Sequence, residues 1–203
     1  MQEEIMISIE QAKKAIAQLA TKEAITFIEA VARRILTCYN QHRKLLIAGN
    51  GGSLCDAMHF AEEMTGLFRK QRPPLSALAL ADPGHLTCVG NDLGFEEVFS
   101  RAVEAHGQAG DLLVMLTTSG QSENLIRAAK VAVKKGLGTV AFLGKTGGVL
   151  RGMCDLEWIV SGFSFSDRIQ EAHMAAIHII IERVEEALFF DSKSKKIAAE
   201  ITS

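Results

Sequence analysis

Three prolines, one tryptophan, one tyrosine and four cysteines among 203 residues leave this chain short of most structural punctuation, and neither charge sign is in surplus. Each scarcity excludes something. The cysteines (Cys38, Cys55, Cys88, Cys154) include no CxxC pair, so a disulfide framework or a cysteine-based zinc site is not expected. Scattered thiols suit a reducing, cytoplasmic setting. With 22 Lys and Arg against 24 Asp and Glu, the formal net charge is -2, and no basic field favours nucleic acid or an anionic membrane. The most apolar stretch, near the C-terminus, is broken by His173, His178, Glu182 and Arg183, which excludes a membrane span. The opening MQEEIMISIEQAKK has early acids and no continuous apolar core, so a secretory leader is not expected.

What is present is ordinary globular material, 48% hydrophobic and 23% charged, enough for one domain spanning 1–203. Residues 5–41 carry two helical stripes, Ile5, Ile9, Ala12, Ile16 and Leu19, then Ile25, Ile28, Val31, Ile35 and Tyr39. Two helices ahead of any strand suit packing against another copy of the chain, or capping of its own core. From 44 to 190 the pattern becomes α/β. Short apolar runs at 45–48, 77–80, 112–116, 139–143 and 156–160 alternate with helical segments near 54–68, 95–106, 123–134 and 149–152. A long helix over 167–190 precedes a polar tail at 191–203. Buried strands separated by amphipathic helices predict a five-stranded parallel sheet covered on both faces. Ligands in such sheets bind at the carboxyl ends of the strands.

Two loops stand at such ends. Gly49-Asn50-Gly51-Gly52-Ser53 follows the first strand and opens a helix. Its glycines let backbone N–H groups approach an anion, although the same stretch also reads as a tight turn capped by Ser53. Leu54 in place of a final glycine, and the lack of a following GK[ST], argue against dinucleotides and nucleoside triphosphates. The second loop, Thr117-Thr118-Ser119-Gly120-Gln121-Ser122, places four hydroxyls around one glycine, again ahead of a helix. A helix cap needs one such hydroxyl; four can hold a phosphate without any lysine. Together the loops point to a compact phosphorylated ligand.

His59 and Glu63, four apart on one helix, share a face and can grip a cation or simply each other. Gln170, His173 and His178 lie among apolar residues of the last helix and need partners; a satisfied core histidine is the plain reading of either His. Eight residues separate Gln170 from His178, roughly 12 Å on a regular helix, so one ion cannot collect both from one straight helix. Either Gln170 sits in an irregular first turn or a second subunit supplies a ligand.

GNGGSLCDAMHFAEEMTG (49–66), CVGND (88–92), TTSGQS (117–122) and RIQEAHMAAIH (168–178) resemble, in order and spacing, the phosphoheptose isomerases of the sugar isomerase (SIS) domain family. The likeness runs from about Leu45 to Leu188. It implies a flavodoxin-like αβα sandwich and a homotetramer held by a helical bundle, with sites shared between subunits. It implies zinc, one ion per subunit, on His59, Glu63, Gln170 and His178. It implies substrate contacts from Asn50, Gly51, Gly52, Ser53, Glu63, Asn91, Asp92, Thr117, Thr118, Ser119, Ser122 and Gln170, with Glu63 and His178 as the acid–base residues. Thr117, Gln121 and Leu54 depart from residues common in the family, Ser, Asn and His or Ala; none of these changes removes a proposed catalytic group.

The activity so implied is conversion of sedoheptulose 7-phosphate to D-glycero-D-manno-heptose 7-phosphate, a first step toward ADP- or GDP-heptose, through an enediol(ate). Two rivals are weighed against it. One is a non-catalytic SIS adaptor of the replication initiator; such relatives lose the acid–base pair, which is present here. The other is an isomerase of a different sugar phosphate.

Overall fold

The apolar runs become five strands: β1 Leu45–Gly49, β2 Ala77–Ala79, β3 Leu112–Leu116, β4 Gly138–Gly144 and β5 Leu156–Val160. The computed structural model that shows them describes residues 1–191, so the polar tail past Asp191 lies outside the described residues. All neighbours pair in parallel in the order β2-β1-β3-β4-β5, which is the flavodoxin-like order. Leu45 pairs with Ala77 on one side and Leu112 on the other, and Val140 with Leu156. β1, β3 and nearly all of β4 are buried on both faces, which is why they read as continuous apolar runs rather than alternating ones.

Alternate residues feed two cores. Leu45, Ile47, Val114, Phe142 and Trp158 pack under α2 (Lys22–Asn40), α3 (Gly52–Thr65) and α7 (Ser166–Glu185). Leu46, Ala48, Leu113, Met115 and Leu143 pack under α5 (Val98–His106) and α6 (Glu123–Lys134), with Val89 of α4 (Pro83–Asp92) joining them. The result is an αβα sandwich.

Thr21 caps α2, its hydroxyl accepting from the Ala24 amide at 3.2 Å, and α2 buries Phe27, Val31 and Ile35 against its own chain. α1 (Gln2–Ala17) is different. It buries only Ala15 and leaves Ile5, Met6, Ile7, Ile9 and Ile16 exposed. The stripe read at Ile5 and Ile9 is therefore real but uncovered within one chain.

One expectation fails locally, and another holds with a change of helix type at its end. No helix forms at 149–152, where Gly147, Gly148 and Gly152 have positive φ and turn the chain instead. The final helix is α-helical only to Glu185, with a wider π turn over Glu186–Phe190. α4 was not expected, yet it starts in a recognisable way: Asp82 accepts from the His85 amide at 2.7 Å, and Pro83 occupies the first turn. Among the described residues no helix is long and apolar enough to cross a membrane.

Candidate active site

Beyond the carboxyl ends of β1 and β3, where the strand order reverses, lies a cleft of about 380 Å³. It is lined by Asn50, Gly52 and Ser53 from the first loop and by Leu116, Thr117, Thr118, Ser119 and Ser122 from the second, with Ser166 and Gln170 of α7. Three helices thus begin at this cleft: α3 at Gly52, α6 behind its cap residue Ser122, and α7 at Ser166. Their free N–H groups and positive dipole ends converge where no lysine or arginine lines the wall. Such a wall offers neutral donors to an anion.

Glycine is required at one point of its rim and closely packed at another. A Cβ on Gly52 would come within 2.5 Å of the Gln170 side-chain nitrogen. Gly120 has φ of 64°, and a Cβ there would run into the carbonyl oxygen of Gly147. The loop hydroxyls partly hold the loop itself. Thr117 Oγ1 accepts from the Gly120 amide at 3.1 Å, Ser119 Oγ from the Gln121 amide at 3.2 Å, and Thr118 shares a 3.0 Å bond with Ser166. Ser122 makes no capping bond with its side chain. Ser53 is not the cap of α3 either; Gly51 is, and Ser53 is buried in the first turn, accepting from Gln170 Nε2 at 3.4 Å.

A second group of polar side chains sits further along the same two helices. His59 Nε2 is 3.2 Å from Glu63 Oε1, and His178 Nε2 is 3.6 Å from Glu63 Oε2. Ligand atoms of all three lie within 4.8 Å of one another. The His178 ring stacks on Phe68 at 6.0 Å between centroids and meets His59 edge-on at 5.3 Å. The Glu63 carboxylate is 13% exposed, and its Oε2 is buried with no hydrogen-bond partner. A buried carboxylate oxygen facing two imidazole nitrogens is a donor set that fits a cation. Glu62 is exposed, with an oxygen 3.8 Å from His59. Asp56, between the two groups on α3, is pushed up to about 6 by burial, which the nearby His59 opposes.

Of the residues read as zinc ligands, one chain brings together His59, Glu63 and His178 but not Gln170, whose amide lies against Gly52 and Ser53. α7 is regular throughout Ser166–Glu185, so an irregular first turn does not rescue the fourth ligand. Asn91 and Asp92 end α4, bonded to each other at 2.7 Å, and do not line the cleft. His173 is a core histidine: fully buried, its Nε2 bonded to the Leu143 carbonyl at 2.9 Å while its Nδ1 is buried without a hydrogen-bond partner.

The SIS domain profile matches residues 9–144. A phosphoheptose isomerase of Fusobacterium nucleatum is 54% identical over 161 residues, covering 79% of this chain and 82% of that one. The structure of phosphoheptose isomerase from Neisseria gonorrhoeae matches with a TM-score of 0.84 at 38% identity, over 91% of this chain and 98% of that chain. That from Francisella tularensis matches with a TM-score of 0.86 at 32% identity, over the same shares. The chain belongs to the phosphoheptose isomerases of the SIS-domain family.

Ser166, in the cleft wall, and Asp56, with its raised pKa, are not among the residues that the sequence singles out. Ser166 opens a helix and so carried the same signal as Ser122, but it follows a loop rather than a strand. Asp56 gave no signal beyond its place in the 49–66 motif.

Proposed function

We propose that this phosphoheptose isomerase interconverts sedoheptulose 7-phosphate and D-glycero-D-manno-heptose 7-phosphate in the cytoplasm, at sites assembled between subunits of a homotetramer. The observation that carries the reading is the pairing of a lysine-free anion cleft with a buried carboxylate flanked by two histidines on the same two helices.

The phosphate sits in the cleft, held by the amides and hydroxyls of Gly51, Gly52, Ser53, Thr118, Ser119 and Ser122. The backbone holds it rigidly, because glycine geometry and loop hydroxyls have already fixed the amides. Asn91 and Asp92, away from this cleft in one chain, contact the sugar when a neighbouring subunit closes over it.

Glu63 removes the C1 proton and returns it to C2. A partly desolvated carboxylate is suited to that task. His178 gives a proton to O2 and takes one from O1, so the enediol(ate) collapses to the aldose. His59, Glu63 and His178, with Gln170 from a second subunit, would hold one zinc ion per subunit, which when bound supplies positive charge that polarises the substrate carbonyl. Ligation and proton transfer both call on Glu63, whose Oε1 lies 3.2 Å from His59 and Oε2 3.6 Å from His178, so the carboxylate leaves the ion to act as base.

A shared site is supported by Gln170, whose amide lies against Gly52 and Ser53 of its own chain rather than beside the other three proposed ligands. The uncovered apolar stripe of α1 supports an oligomer.

The test is to incubate zinc-loaded and chelator-treated protein with sedoheptulose 7-phosphate and, in parallel, fructose 6-phosphate, following aldose formation by NMR. Metal-dependent conversion of the heptose phosphate alone is expected. No conversion by folded, zinc-loaded protein returns the adaptor reading, and faster conversion of the hexose phosphate moves the substrate.

A further inference from the structure

Arg72 belongs to neither half of the site. It lies in the connection between α3 and β2, in a stretch that reads as a polar loop, yet its side chain is 0% exposed. A buried guanidinium needs partners for its fixed fork of donors. Nη2 donates to the Glu63 carbonyl at 2.6 Å, and Nη1 to the Met64 carbonyl at 2.8 Å and the Pro73 carbonyl at 3.1 Å. The first two are among the last carbonyls of α3, which helix geometry leaves open, and a positive charge there complements the helix dipole. Nε donates to Glu185 Oε1 at 3.2 Å, across to α7. Glu185 stands seven residues beyond His178, two turns along the same helix face. One side chain therefore holds the backbone of Glu63 itself and the helix that carries His178.

We propose that Arg72, through Glu185, is a positioning residue for Glu63 and His178, fixing the spacing of α3 and α7 where that pair meets. The inference rests on the acid–base reading of those two residues. Arg72 touches no reacting atom; it acts through the Glu63 backbone. Supporting groups of this kind are worth about 10–100-fold in metal affinity or activity when altered. The anion cleft at the start of the same helices, roughly 12 Å away, serves as an internal control.

Two variants test it. Arg72→Lys keeps the charge and loses the fork; Glu185→Gln keeps the shape and loses the charge. For each, kcat and KM with sedoheptulose 7-phosphate, zinc affinity by chelator competition, and binding of inorganic phosphate by calorimetry are measured. Folded variants are expected to lose about tenfold or more in kcat and zinc affinity, with KM and phosphate binding within about twofold of wild type. Unchanged kcat and zinc affinity overturn the inference. So does a parallel fall in phosphate binding, which marks general loosening rather than positioning. Should Arg72→Lys not fold, Glu185→Gln decides on the same readouts. Wild-type protein that neither binds zinc nor turns over the substrate overturns the underlying site reading as well, whereas the variant results bear on Arg72 alone.

Discussion

Asn50 and Asn124 exchange two hydrogen bonds: Asn50 Nδ2 donates to Asn124 Oδ1 at 3.0 Å, and Asn124 Nδ2 donates to Asn50 Oδ1 at 2.9 Å. The pair spans 74 positions of sequence and ties the first anion loop to the first turn of α6. The Asn50 side-chain amide keeps a second N–H and a second oxygen lone pair beyond this exchange.

Asn124→Leu removes both bonds and leaves the Asn50 amide unmatched. At about 1 kcal/mol for each bond, KM for the heptose phosphate is expected to rise at least about tenfold. The chemistry at Glu63 lies elsewhere, so kcat holds within about threefold. Steady-state kinetics checks this, and a fall in kcat at constant KM would contradict the loop-tying role.

Glu63→Gln keeps the shape of the side chain and removes the proposed base. General-base groups contribute typically about 10²–10⁴-fold, so turnover is expected to fall at least a hundredfold while inorganic phosphate binds as before. Calorimetry beside kinetics separates the two. Near-normal turnover would remove Glu63 as the base.

Gly120→Ala asks a residue with a Cβ to hold φ of 64° with its methyl directed into the Gly147 carbonyl. A cost of at least about 2 kcal/mol is expected in chemical denaturation, because backbone strain and a backbone clash add. A change below 0.5 kcal/mol, roughly the scale of a neutral surface substitution, would show that the second loop moves freely.

Much of this architecture was legible because buried parallel strands leave continuous apolar runs, and all five runs became strands within a residue or two. The cleft was legible for a related reason: two glycine- and hydroxyl-rich loops followed strands that prove to be neighbours. Elsewhere local pattern misled. Val149 and Leu150 suggested a helix, but the flanking glycines take left-handed conformations. α4 has weak periodicity, with Gly84 and Gly90 inside it, and only its Asp82-Pro83 start announces it. Arg72 was unreadable, since nothing in KQRPP distinguishes a buried guanidinium from a solvated one; its partners are set by how α3 and α7 pack.

His173 predicts the acid limb of stability. Burial pushes it from its ordinary 6.5 down to about 4, against the hydrogen bond to Leu143. Between those values the unfolded chain binds a proton that the folded chain refuses, so stability falls as pH drops from 6.5 to 4 and this contribution then levels off. The full effect is up to roughly 3 kcal/mol. Denaturant titrations across that window should show a steeper decline for wild type than for His173→Gln. Parallel curves would contradict it.

The shared site makes a sharper claim, that one subunit's anion cleft and another's Glu63 and His178 act on one substrate. Ser119→Asp puts a carboxylate in the cleft and Glu63→Gln removes the base; each homo-oligomer is expected to be inactive. The decisive measurement is the activity of the two variants after they are unfolded together and refolded as mixed oligomers. Recovered activity is predicted, because some sites then join an intact cleft to an intact acid–base pair. Mixed oligomers as inactive as their parents would place cleft and pair within one subunit and contradict the account.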